Sequence, residues 1–223
     1  MNLKFSENYV YLFGFMGIIL YVILIGFAML AYPGGIRENP SIDGYSFWGN
    51  TFSDLGRITA WNGENNLISM ILFTFAYGIH IITLIPFYLK FMKIFSKSGL
   101  KGKTSKIGSY FGIISSIAFV GILFTPSDIL NTIHWIFVFI GYPSLLIMGI
   151  FYSITLYFSN QFSKKFAYIF IVIIIFYSIS LLIGLIGMSF SRNIMIIGQK
   201  IMRLALLLDF SLLIYGAWKI KEF

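Results

Sequence analysis

Three observations predict an all-α, polytopic membrane protein, a bundle of six transmembrane helices with a structured outer loop between the first two. The chain of 223 residues is 58% hydrophobic and only 11% charged, with a mean hydropathy of +0.88; a soluble domain is nearer half apolar and a quarter charged. Its apolar residues fall into six long runs separated by polar segments. The runs do not alternate in polarity, as lipid-facing β-strands must, and only helices or closed barrels satisfy every backbone group inside a bilayer.

The runs are Tyr9–Tyr32, Leu67–Tyr88, Ile107–Phe124, Ile133–Phe158, Phe166–Phe190 and Ile194–Trp218. Each has roughly 18 to 26 residues, where a helix crossing a ~30 Å hydrocarbon core needs about 20. The first reads as a retained helix and not a cleavable leader, because Met1 to Tyr9 is short and the run after it is long enough to span. Between the first and second runs lies Pro33–Asn66, expected to fold over one mouth of the bundle. Its stretch GNTFSDLGRITAWNGENN, Gly49 to Asn66, is the most polar part of the chain. The third run follows the Lys/Ser/Gly segment Lys97–Lys106, which reads as a solvated connector. The short turn TPSDILNTIH leads into the fourth run: Pro126 starts a bend there, and Ser127 or Asp128 is placed to cap the next helix. No internal repeat is evident, and the spans leave no room for a second domain. Trp48, Trp61, Trp135 and Trp218 fall near predicted membrane interfaces, where amphipathic rings anchor helices.

Charge orients the bundle. With the N-terminus inside, the inner segments hold eleven basic residues, all lysine: Lys4, Lys90, Lys93, Lys97, Lys101, Lys103, Lys106, Lys164, Lys165, Lys219 and Lys221. The outer ones hold Arg37, Arg57, Arg192, Lys200 and Arg203. This bias places the protein in the cytoplasmic membrane with both termini cytoplasmic. It also accounts for the net charge of +8 without nucleic acid as a partner. Carboxylates gather on the opposite side, with Glu38, Asp43, Asp54, Glu64 and Asp128 outside and only Glu7 and Glu222 inside. The absence of cysteine excludes disulfides and thiolate metal sites.

The candidate chemistry lies at the outer rim. Ser53 and Asp54 come from the loop, Asp128 from the turn before the fourth helix, and His134 from that helix's first turns. Gln199 and Arg203 are four apart on the last helix and share a face. Lys200 and Arg203 are costly in an apolar span, so they are expected to turn inward toward Asp54 or Asp128. Acids, an imidazole and a hydroxyl suit acid–base or nucleophilic work; Arg57, Lys200 and Arg203 suit a phosphate. The same set would equally form a polar plug locking the loop to the bundle. Deeper in the membrane, His80 and Asp209 are expected at matching depth, ~20 Å from the outer end by helix rise, facing the interior and pairing. That pair would serve either a structural hydrogen bond or a proton relay. Zinc fits poorly: the two His lie ~15 Å or more apart in depth, and Asp54, Asp128 and His134 lack a tight ligand spacing. No metal or cofactor is expected.

The segments NTFSDLGR, WNGENNLISMILF, GILFTPSDILNTIHWIFV and GQK together resemble the prokaryotic membrane family catalogued as domain of unknown function 998, over nearly the whole chain. The resemblance implies six helices and an external cluster at Asn50, Ser53, Asp54, Gly56, Arg57, Asp128, His134, Gln199 and Lys200. It implies no reaction. More distantly, the layout is similar to the Frag1/DRAM group of eukaryotic membrane proteins, some linked to lipid-anchor handling. It is also similar to ceramidase-like membrane hydrolases in its Ser, Asp and His, and departs from them in having six spans and two separated His. Three functions follow as expectations: binding or processing of an anionic lipid or headgroup at the outer leaflet, proton-coupled transport through the His80/Asp209 level, or a non-enzymatic membrane scaffold. Membrane lipids are the expected partners, with homo-oligomer and protein partner left open.

Overall fold

In the computed structural model, residues 3–220 are described, with side chains from Tyr9 onward. Six helices form the molecule: α1 (Leu3–Leu30), α2 (Leu67–Ile94), α3 (Gly99–Leu123), α4 (Asn131–Phe158), α5 (Lys164–Phe190) and α6 (Arg192–Ile220). Each contains a stretch long and apolar enough to cross a membrane. Every helix outruns its predicted run at one end or both, and α1, α2 and α3 do so by six residues or more. α2 continues past Tyr88 to Ile94, and α3 begins at Gly99, so most of the Lys97–Lys106 segment is helical rather than a connector. Hydropathy marks where a helix meets hydrocarbon, not where it stops, and lysine propagates a helix well in water. Lys4, Glu7, Lys221 and Glu222, counted in the charge bias, lie outside the residues whose side chains are described.

Each helix packs on its neighbours in sequence, and α6 returns to α1, closing a ring. Connections are short: residues 95–98, 124–130, 159–163 and Ser191 alone. The helices alternate up and down, so the 31–66 loop, the 124–130 turn and Ser191 share one end of the bundle. The lysines of α2, α3 and α5, with Lys219 of α6, lie at the other end.

Hydrocarbon gives apolar helices no reason to leave lipid for each other, so close packing and interhelical hydrogen bonds must hold the ring. On α3 and α4, Thr104 Oγ1 meets Thr155 Oγ1 at 2.7 Å, Ser109 Oγ meets Tyr152 Oη at 2.8 Å, and Ser115 donates to the Gly141 carbonyl at 2.9 Å. α5 and α6 touch backbone to backbone: a Cβ on Gly198 would stand 2.5 Å from Gly184 N. The centre is aromatic, with Tyr21, Tyr77, Tyr88, Phe91, Tyr152, Tyr177 and Phe210 buried. Ile19, Phe176, Leu182 and Leu204 stay exposed as lipid-facing surface.

The 31–66 loop has its own order. An antiparallel hairpin, β1 (Gly34–Ile36) with β2 (Asn39–Asp43), precedes a one-turn 3-10 helix over Phe52–Gly56. Gly35, at φ 83°, lies against the backbone of Asn62, where a Cβ would come within 2.5 Å of its nitrogen. Only glycine combines that conformation with that approach.

Candidate active site

The 3-10 helix is fixed at its start by a capping box. Asp54 N–H donates to Thr51 Oγ1 at 3.1 Å, and Thr51 N–H to Asp54 Oδ2 at 2.7 Å. The same carboxylate oxygen receives Arg192 Nη2 at 3.1 Å and Asn50 Nδ2 at 3.4 Å. Buried Asn66 ties the turn to the head of α2 by donating to the carbonyls of Leu55 and Arg57, at 3.1 and 2.9 Å. Gln199 of α6 accepts Phe52 N–H at 3.0 Å. These bonds occupy the residues around Ser53 and aim its hydroxyl across the mouth at α4.

There it meets His134, 4% exposed, with Oγ 3.1 Å from Nε2. The other ring nitrogen, Nδ1, is 2.7 Å from the carbonyl oxygen of Thr125, just past the end of α3. A carbonyl only accepts, so in neutral His134 the proton sits on Nδ1 and Nε2 presents its lone pair. Ser53 therefore donates to His134. A hydroxyl, an imidazole base and a group that orients the base form the arrangement that activates a serine nucleophile, with a carbonyl in the orienting position.

The pair opens into a cavity of about 480 Å³ lined by all three loop-end arginines, Arg37, Arg57 and Arg192, and by Asp54, Asp128, Trp61, Asn131, Trp135 and Gln199. Arg57 lies 3.8 Å over the Trp61 ring and donates to the Thr59 carbonyl. Arg192 bridges Asp54 and, at 3.5 Å, Glu38. Three cations against two lining carboxylates leave the cavity suited to an anion. Beside it, burial and the nearby Asp54 charge push the Tyr45 phenol well above its ordinary value of 10, so it stays protonated and donates to the Thr51 carbonyl at 3.0 Å.

Asp128 does not cap α4. Leu130 occupies the cap position with no side-chain bond, and Asp128 Oδ2 instead receives the backbone N–H groups of Ile58 and Thr59, at 3.0 and 2.9 Å. The two loop amides draw the carboxylate away from the helix start, and the turn before α4 is held by the Pro126 carbonyl, which accepts from Ile129 and Leu130. Asp128→Ala is expected to speed amide exchange across residues 57–66 by about tenfold or more, since each bond to the carboxylate contributes ~1.5 kcal/mol or more. Unchanged exchange would show the loop is held elsewhere.

Lys200 and Arg203 are buried, at 4% and 3% exposure, but neither lines this cavity nor meets a carboxylate. Lys200 donates to Tyr45 Oη and sits 3.8 Å over the Phe52 ring. Arg203 Nη2 donates to Tyr77 Oη at 2.6 Å and Tyr142 Oη at 2.7 Å. The loop acids Asp54 and Glu38 pair with Arg192 instead. Arg203 lies eleven residues below Arg192, ~16 Å down the helix, out of reach of the loop's acids. Phenol oxygens and ring faces take their place.

His80 and Asp209 do not pair. Both Asp209 oxygens are buried without a hydrogen-bond partner, and so is His80 Nδ1. His80 packs between Tyr21 and Phe210, at ring distances of 5.0 and 5.9 Å. Phe210 faces His80, and its neighbour Asp209 points about 100° away around α6.

Sequence reasoning chose Ser53, Asp54, Asp128, His134, Asn50, Arg57 and Gln199, and the fold brings them to one end. It passed over Arg192, counted among the outer charges but not singled out, and Arg37. Their signal was position: Arg37 lies in the loop and Arg192 opens α6 at the same end. The Thr125 carbonyl carried no side-chain signal. Among the described residues, no group of three or more His, Asp and Glu converges as a metal site would require. Compared with known proteins, the chain matches no family model, no curated protein and no solved structure.

Proposed function

We propose that this protein is a serine hydrolase or acyltransferase acting on an anionic lipid at the membrane surface. One observation carries the reading: Ser53 Oγ lies 3.1 Å from a His134 nitrogen whose partner nitrogen is held by the Thr125 carbonyl, beside a cavity lined by three arginines. The arginines hold the lipid phosphate and bring an ester carbonyl over Ser53. His134 Nε2 takes the hydroxyl proton as Oγ bonds to the carbonyl carbon. The alkoxide leaving group departs with that proton, and the acyl group stays on Ser53. Water or an acceptor alcohol then attacks the acyl ester, giving its proton to His134, which returns it to Ser53 Oγ. Asp54 and Asp128 hold the loop in place through their bonds to its backbone.

The lysine bias supports a cytoplasmic-membrane location with both termini inside and the cavity at the outer leaflet. Membership in the six-helix family that the motifs resemble belongs to the same proposal. The carrier reading loses the His80–Asp209 pair on which it was built. A scaffold reading keeps one support, the density of bonds locking the loop.

A fluorophosphonate probe applied to the purified protein separates these. It is expected to label Ser53, with labelling lost in Ser53→Ala and strongly slowed in His134→Ala. No labelling of Ser53, with no fatty acid released from phosphatidylglycerol vesicles, overturns the hydrolase reading in favour of the scaffold.

A further inference from the structure

An apolar groove of about 190 Å³ runs between α4 and the α5–α6 pair, directly below the polar cavity. We infer that it receives one acyl chain of the anionic lipid whose headgroup occupies the cavity; this rests on the lipid reading above and names the second half of the substrate. Adjacency is the first support. Trp135, Val138, Met195 and Gln199 line both spaces, so the groove lies directly against the cavity.

The groove also opens the right way. Phe139, Leu185 and Met188 on its rim are 46%, 38% and 41% exposed, on faces that in a bilayer meet acyl chains. A chain can slide in sideways while its headgroup stays at the surface. The packing explains why the gap lies here. Glycine contacts draw α5 onto α6, through Gly198 against Gly184 and Gly187 against Met195, while α4 and α5 share the smallest interface between sequential helices. Pro143, within α4, lines the groove, and Gly184 presents no side chain to it; a Cβ there would have only the Met195 carbonyl, at 4.0 Å, within contact range. Tyr142 closes the deep end, its hydroxyl engaged by Arg203. The volume suits a length of one chain, not a pair. Lined almost wholly by carbon, the groove selects hydrocarbon, and the arginines above it select the charge.

The test uses the full chain in phosphatidylglycerol vesicles doped with a phosphatidylglycerol carrying a diazirine midway along one acyl chain. After illumination, adducts are mapped by mass spectrometry. They are expected to concentrate on residues 138–143 and 181–188, and to fall about tenfold in Gly184→Trp, whose indole fills the groove. Leu181→Trp is the second variant if Gly184→Trp does not elute as a folded protein. A phosphatidylcholine carrying the same diazirine, lacking net negative charge, should give several-fold fewer groove adducts. Adducts spread evenly around the lipid-facing helix surfaces, unchanged by either substitution, overturn the inference. The two proposals fail separately. Labelled Ser53 with even adducts removes the groove and keeps the hydrolase; groove adducts without reaction at Ser53 keep the groove as a lipid site and remove the hydrolase.

Discussion

His134→Ala is expected to lower lipid turnover by roughly 10³- to 10⁴-fold, a loss at the upper end for a general base. Without Nε2, the Ser53 proton has no acceptor in place, and a neutral hydroxyl is a poor nucleophile. The fold should notice less. His134 makes two bonds, to the Thr125 carbonyl and from Ser53, each worth ~1 kcal/mol, or together several degrees of thermal midpoint in a chain of this size. The separation of the two effects is the diagnostic: a structural histidine would lose stability and activity together. Ser53→Ala combined with His134→Ala should be no slower than Ser53→Ala alone, because two residues acting as one unit do not add. Turnover should also fall as the pH is lowered and the imidazole takes up a proton, since only neutral His134 accepts from Ser53. Radiolabelled phosphatidylglycerol and a pH series measure all three. A multiplicative double variant would mean the pair does not act in one step.

How much of this was legible in the sequence depends on which physical variable a residue reports. Span length is set by the bilayer, so hydropathy found six helices. Helix extent outside the bilayer is set by propensity and capping, so the start of α3 at Gly99 was missed. The cost of burying charge made the inward turn of Lys200 and Arg203 readable. Their partners were not, because nearly a fifth of the chain is aromatic and nothing in one dimension says which phenols surround a given cation. His80 and Asp209 show the same limit: depth along a helix follows from counting, whereas direction around the axis depends on how the helix is rotated in the ring. At the mouth, Ser53 and His134 stood at the edges of segments that alternation places together, and Arg192 met the same condition. The Thr125 carbonyl, which sets the tautomer of His134, is backbone and carries no letter of its own.

The second large effect concerns the bundle centre. Tyr77→Phe with Tyr142→Phe is expected to cost ~3–5 kcal/mol, or about 10 °C of thermal midpoint in detergent. Arg203 is a buried cation with no carboxylate; its hydrogen-bond acceptors are those two phenol oxygens, from α2 and α4. Each bond to a charged donor is worth ~1.5–3 kcal/mol. Tyr21 and Phe119 add ring faces at 5.5 and 5.6 Å from the guanidinium, an attraction of ~2 kcal/mol when desolvated. Against these stands the desolvation of one charge, several kcal/mol. The two sides nearly cancel, so the arginine adds little net stability and becomes a liability once its acceptors go. Adding Arg203→Met to the double variant should therefore recover most of the loss, because an apolar side chain of similar length needs no acceptor. If the triple variant melts lower still, the guanidinium is held by something other than the phenols, and Arg203 is a net contributor to the bundle.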